Sequence, residues 1–347
     1  MNDTVTDLKT QWELLSKEQP NLRIRDAAAK LGVSEAQLLA TDCGKTVTRL
    51  EGDFTLLLKE FPRLGRVMCL TRNDVAVHER KGEFIQLDFF HGMGQIVGPD
   101  IDLRLFMSHW VHAFAVNDTE NKRTAPSFQF FDAQGVATHK VYVQPEGNLD
   151  VYAGLVKQYT SANQDSSVEV VEAEPAIADR PDSEVDVQGF REAWDATQDT
   201  HAFFSLLKKF NLGRLQALRL AERTRAYKVT TDAIRILLEN AAGTATPIMV
   251  FVGNPGTIQI HTGPVQNIVR HGQWINVLDK DFNLHLRDDL VSQAWVVKKA
   301  TRDGVVTSVE LFDAAGTNVT LFFGKRKPGN PEDPEWRKII ASLPEAE

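Results

Sequence analysis

Apolar residues return every three or four positions in some stretches of the chain and every second position in others. Residues 199–214 show the first spacing. Phe204, Leu207 and Phe210 fall on one helical face, with Phe203 and Leu206 beside it. Asp199 or Thr200 can cap this helix by accepting hydrogen bonds from its first N–H groups, which places His201 in the first turn. Asn211 and Gly213 interrupt the period before residues 215–220 resume it. Residues 10–15 and 53–59 carry similar helical patterns, and residues 7–61 read as mainly helical. Residues 258–261 alternate instead, behind the turn Asn254-Pro255-Gly256. Residues 305–312 and 317–323 flank a short Asp-Ala-Ala-Gly loop and read as a hairpin, and residues 126–131 and 136–143 read as another.

These patterns occur twice. Ser127-Phe128-Gln129-Phe130-Phe131-Asp132-Ala133-Gln134-Gly135 returns as Ser308-Val309-Glu310-Leu311-Phe312-Asp313-Ala314-Ala315-Gly316, an offset of 181. The same offset lays residues 101–105 on 282–286 and Phe114 on Trp295. In the helical parts the offset is 179, which lays residues 30–37 on 209–216. Agreement in separate places marks a tandem duplication. The expected architecture is α+β, each copy an N-terminal helical segment followed by a largely antiparallel β-sheet. Residues 1–162 form the first repeat, 163–186 a linker and 187–347 the second repeat.

Charge changes this picture only at the linker. The chain of 347 residues has a net charge of −8, and residues 163–186 hold eight acids against Arg180 alone. With Pro175 and Pro181 among few large apolar residues, the segment reads as a solvated acidic linker. The nearly neutral remainder lacks the basic footprint of a nucleic-acid binder. No apolar run approaches the roughly 18 residues of a membrane span, and the polar start has no signal-peptide core. Cys43 and Cys69 form no Cys-x-x-Cys pair, so zinc-knuckle, dithiol and thioether chemistry lack support. The expected compartment is the cytoplasm, with free thiols.

His201 is the candidate for chemistry. An imidazole beside an apolar helical face, with the Arg214 guanidinium thirteen residues on, can act as an axial iron ligand with an anion partner; it can also be a histidine that caps a core helix. Its counterpart in the first copy is Leu22, and that of Arg214 is Glu35. A ligand in one copy only fits a single site per chain. Residues 27–38 look like a helix–turn–helix, but residues 23–37 carry three bases and two acids, too few charges to neutralise several phosphates. Residues 92–98 miss the dinucleotide glycine spacing, and Cys43-Gly44-Lys45-Thr46 lacks the first glycine of a phosphate loop.

Longer blocks carry a resemblance. Ala76-Val77-His78-Glu79, Asp102-Leu103-Arg104-Leu105-Phe106, Thr200-His201-Ala202-Phe203-Phe204, residues 258–265, residues 274–279 and Phe322-Phe323-Gly324-Lys325-Arg326-Lys327-Pro328-Gly329 resemble the bacterial haemin-degrading and haemin-transport factors, the HemS, HmuS, ChuS and PhuS group. The similarity runs over nearly the whole chain. It implies a duplicated α+β fold that binds one haem b, with His201 as the proximal ligand and metal-binding residue. The resemblance also implies Arg104 as the distal, catalytic arginine, from the other copy. Phe106 and Phe251 are implied as pocket aromatics, and Arg214, Lys299 and Arg326 as basic residues that meet the propionates or line the pocket.

General chemistry agrees with these roles. A neutral imidazole donates a lone pair to ferric iron, guanidinium forks suit carboxylates, aromatic faces stack on a porphyrin, and a distal arginine donates hydrogen bonds without competing as a ligand. The family implies a cytosolic protein of haem-iron uptake that degrades haem to release iron with an electron donor. The alternative is a carrier that receives haem and delivers it to a separate haem oxygenase. A DNA-binding regulator rests on residues 27–38 alone. The expected partners are haem with an electron donor, a haem oxygenase or an importer, without nucleic acid or membrane insertion, in a monomer or homodimer.

Overall fold

A computed structural model describes residues 2–118, 125–174, 178–199, 202–326 and 329–346, with side chains from residue 7 onward. The chain forms two compact units. Unit 1 comprises Met1–Arg72, Glu79–Glu174 and Asn254–Gln259. Unit 2 comprises Asn73–His78, Pro175–Gly253 and Ile260–Glu347. Each unit therefore contains a six-residue piece from the opposite half of the sequence.

In unit 1, three helices come first: α1 (Asn2–Glu18), α2 (Ile24–Leu31) and α3 (Glu35–Ala40). Gly32 ends α2 at a φ of 70°, where a side chain would be strained. Ser34 and Gln37 then form a capping box that starts α3. Next come β1 (Val47–Leu50), α4 (Phe54–Lys59), β2 (Val67–Arg72) and β3 (Ala76–Gly82). They are followed by β4 (Gln86–Phe90), β5 (Met93–Val97), β6 (Asp102–Phe106), β7 (His112–Val116), β8 (Ser127–Phe131), β9 (Ala137–Val143) and α5 (Leu149–Tyr159). A strand thus divides the stretch 7–61 that periodicity reads as helical. Strands β1-β7-β8-β9-β2-β3 are successive neighbours in one sheet, and β4-β5-β6 pair as an antiparallel meander. Alternation assigns the faces: Leu103 and Leu105 of β6 enter the core with Phe128, Phe130 and Val141, while Asp102, Arg104 and Phe106 lie half-buried on the opposite face.

The first part of the linker is packed on unit 1. Val168 is buried among Ala36, Leu39, Val47, Phe114 and Phe131. Arg49 donates to the carbonyls of Asp165 and Ser167, and Gln164 exchanges two hydrogen bonds with the Arg49 backbone. Composition reads the segment as solvated because its charges outnumber the one or two valines that hold it down.

Unit 2 repeats the plan with α6 (Val187–Ala196), α7 (Ala202–Phe210), α8 (Arg214–Leu220), β10 (Ala226–Val229) and α9 (Ala233–Gly243). The strands are β11 (Ile248–Asn254), β12 (Thr257–Gly263), β13 (Ile268–His271), β14 (Trp274–Leu278), β15 (Phe282–Arg287), β16 (Gln293–Thr301), β17 (Gly304–Phe312) and β18 (Asn318–Gly324), and α10 (Pro334–Ala341) follows. The sheet order is β10-β16-β17-β18-β11-β12, and β13-β14-β15 mirrors the unit 1 meander. The expected hairpins are present as β8–β9 and β17–β18. One face of the sheet packs α9 and α10 through Val309, Leu311 and Phe322. The other packs α6–α8 through Trp295, Val297 and Phe312.

Two asparagines related by the 181 offset anchor the exchanged pieces. In unit 2, Asn73 Oδ1 accepts from the N–H groups of Val75 and Ala76, and its amide donates to the carbonyls of Gly253 and Val319. In unit 1, Asn254 Oδ1 accepts from Gly256 and Thr257, and its amide donates to Arg72 and Thr138. The carbonyl partners also correspond under the offset. Val75 and Ala76 are buried in the unit 2 core. Among the described residues, no helix is long and apolar enough to cross a membrane.

Candidate functional site

The site in unit 2 grows from the alternation of four paired strands. Cross-strand register places Trp295, Glu310, Leu321 and Phe251 in one row, and Val297, Ser308, Phe323 and Met249 in the next. Helices α6–α8 cover the Trp295 and Val297 end of this face. At the other end Met249, Phe251, Leu321 and Phe323 are half-buried. Phe251 and Phe323 meet edge to face with ring centres 5.2 Å apart. The result is a flat apolar patch bordered by polar side chains.

Those polar side chains centre on Glu310, which is fully buried. Arg214, the first residue of α8, binds it with two nitrogens, Nε at 2.6 Å and Nη2 at 2.7 Å. Lys299 Nζ lies 3.3 Å from Oε1, and Ser308 Oγ donates to the same oxygen at 3.1 Å. Both cations also lie over the ring of Phe203, Lys299 at 4.3 Å and Arg214 at 5.4 Å from its centre. Burial pushes the Glu310 carboxyl up, but Arg214 and Lys299 outweigh it and hold the group at about 2. For Lys299 burial wins over Glu310 and pulls the ammonium down to about 8. Arg214 is raised: Glu310 outweighs the loss of water. The triad thus holds two cations on one anion at neutral pH.

Arg326 extends this border. Its Nη1 donates to Thr301 Oγ1 at 3.3 Å and lies 3.8 Å from Asp303 Oδ2. Thr301 is two residues beyond Lys299 on the same strand. The structure therefore brings Arg214 and Lys299 together and sets Arg326 against their strand, with Phe251 on the same unit. His201 and Thr200 lie outside the described residues, and α7 begins at Ala202.

Arg104 and Phe106 share the half-buried face of β6, opposite the core, in unit 1. Arg104 Nη1 donates to the Asp102 carboxylate and to the Leu103 carbonyl at 3.0 Å. Burial pushes the Asp102 carboxyl up, against the pull of Arg104.

Sequence spacing assigns the α7 face one residue off. Phe203, Leu206 and Leu207 are buried, while Phe204 is 74 % exposed. A single helical period defines a face only to about one position, and the sheet beneath decides which edge is covered. Glu310 and Phe323 were not singled out as site residues. The available signal for Glu310 was a charge at a position where the first copy has uncharged Gln129.

The equivalent place in unit 1 is built differently. Glu35, the counterpart of Arg214, pairs with Lys140 on β9, and both are buried. Lys140 corresponds to Leu321 and stands across the ladder from Gln129, the counterpart of Glu310. The ion pair is inverted and charge-balanced.

Comparisons extend these observations. The model of the haemin-degrading HemS.ChuX domain matches residues 32–159 and again 211–343. The hemin transport protein HmuS of Yersinia pestis is 38% identical, over 97% of both chains. The crystal structure of holo-PhuS, a heme-binding protein from Pseudomonas aeruginosa, is 42% identical, covers 99% of each chain and superposes with a TM-score of 0.96. The heme degrading enzyme ChuS of Escherichia coli O157:H7 is 34% identical, covers 98% of this chain and 99% of its own, and gives a TM-score of 0.91.

Proposed function

The chain belongs to the haemin-degrading HemS/ChuX family, and from that membership we propose that it binds one b-type haem in haem-iron use. The observation that carries the proposal is the half-buried apolar patch of Met249, Phe251, Leu321 and Phe323 beside a triad with one cation in excess. A flat aromatic macrocycle with carboxylates on one edge matches both parts. Relatives described as heme-binding and as hemin transport proteins support the same ligand.

Each residue has a physical task in this reading. His201 donates an imidazole nitrogen to the iron and fixes the ring. Arg214 spends two of its three nitrogens on Glu310, and Nη1 remains to donate to a propionate. Lys299 adds positive charge along the same border, and Arg326, beside Asp303, offers a further guanidinium there. Phe251 stacks, and Phe106 and Arg104 act on the distal side, Arg104 as a hydrogen-bond donor. Bound haem supplies an iron centre able to take a further ligand and accept electrons from a donor.

Two fates for the haem follow. Degradation with release of iron is supported by the likeness to ChuS, described as a heme degrading enzyme. Carriage to a separate haem oxygenase is supported by the likeness to HmuS, described as a transport protein. A cytoplasmic location belongs to both. The testing experiment is a haemin titration of the wild type and His201→Ala followed through the Soret band. One equivalent bound, with a changed band and weaker binding in the variant, is expected. Two equivalents of equal affinity, or an unchanged band, would overturn the assignment.

A further inference from the structure

We propose that Glu310 is the positioning residue that sets the charge of this site. By neutralising only one of two bases, it leaves a deficit of one negative charge, which a single ligand carboxylate fills. The proposal rests on the reading of the site as a haem site and adds a residue and a selection rule to it.

Three observations carry it. First, Glu310 is fully buried and makes four hydrogen-bonded or ionic contacts, so it cannot swing away to release its partners without leaving charge in the interior. Second, the bases differ in access. Lys299 is 7% exposed, whereas the Arg214 side chain is 29% exposed and has Nη1 outside its two bonds to Glu310. Third, the first copy supplies a control within the same chain. There one base, Lys140, meets one acid, Glu35, both buried. That pair is itself charge-balanced, one base on one acid. Duplication began with equivalent positions, so the extra base in one copy accounts for a single anionic ligand per chain. An uncompensated buried cation is costly unless an anion joins it.

This predicts a charge-counting rule distinct from simple contact. The full chain would be titrated with haemin and with haemin dimethyl ester, whose edges carry no charge. The proteins are wild type, Lys299→Met and Lys299→Met/Glu310→Gln, at pH 7. Their triads carry net charges of plus one, zero and plus one. The wild type should prefer the diacid by at least about tenfold, the range of one charge-assisted hydrogen bond. Lys299→Met should lose most of that preference, and the double variant should regain it. If Lys299 merely touches the carboxylate, the double variant will stay as poor as Lys299→Met, and the proposal fails. Equal preference in all three proteins also overturns it. If the wild type binds neither compound, the haem reading itself has failed, an outcome separate from both. Far-UV circular dichroism checks that each variant is folded, and Lys299→Met exchanges a buried charge for an apolar stem of similar length.

Discussion

Replacing Lys299 with methionine should stabilise the ligand-free protein while weakening its hold on an anionic ligand. The lysine is buried, and its ammonium is pulled from its ordinary 10.5 down to about 8, chiefly by loss of water. At about 1.36 kcal/mol per pH unit, keeping that proton at neutral pH costs the folded chain roughly 3 kcal/mol. Methionine removes the charge and keeps most of the stem against Phe203. Glu310 retains Arg214 and Ser308. Imperfect packing takes back part of the gain, leaving about 1–3 kcal/mol at pH 7.

The sign of the pH dependence follows from the direction of the shift. Between pH 8 and 10.5 the unfolded chain still binds the Lys299 proton and the folded chain has lost it. Wild-type stability therefore gains a rising contribution across that window, and the variant does not. Urea unfolding followed by tryptophan fluorescence at pH 7, 8, 9 and 10 would report it. The variant should be the more stable at pH 7, with the difference shrinking toward zero near pH 10. A variant less stable than wild type at pH 7 by more than about 1 kcal/mol, or a difference that ignores pH, would refute the reasoning. Such a result would mean that the triad is net favourable as it stands.

Arg104→Ala should leave haem affinity within a fewfold of wild type but strongly reduce any ring-opened product formed with a reductant and catalase present, as read by mass spectrometry. Product that vanishes with catalase in the wild type would point to carriage. Asn73→Ala or Asn254→Ala removes four hydrogen bonds and should cost about 2–3 kcal/mol in urea unfolding; a loss under about 0.5 kcal/mol would deny the anchoring role. A fragment of residues 187–347 lacks Val75 and Ala76 of its own core and should be poorly folded by circular dichroism and hydrogen exchange. A cooperative unfolding transition equal to that of the full chain would contradict this.

Much of the fold was legible because duplication prints the same local rules twice. The β17–β18 hairpin announces itself through alternation and a short Asp-Ala-Ala-Gly loop, and β8–β9 repeats it. The six-residue exchanges were not legible, since Asn73 and Asn254 look like ordinary turn residues and their carbonyl partners lie far off in sequence. Nor was the Glu310 triad. A lone glutamate in a strand reads as a solvated charge until Arg214, 96 residues away, is brought to it. Val168 was hidden for the opposite reason, one apolar side chain among acids.

The exchange of short pieces changes where mutations make themselves felt. Residues 73–78 are encoded in the first copy, yet Val75 and Ala76 are constrained by the core of the unit that holds Arg214, Lys299 and Glu310. Residues 254–259 are likewise encoded in the second copy and answer to unit 1, where the Trp110 indole donates to the Gly256 carbonyl. Drift in one copy is therefore screened by the packing of the other. Two genes each carrying half of this chain would each encode a product missing a strand segment it needs. Neither half of the sequence therefore encodes a whole unit by itself, and each depends on the other for six residues of its own fold.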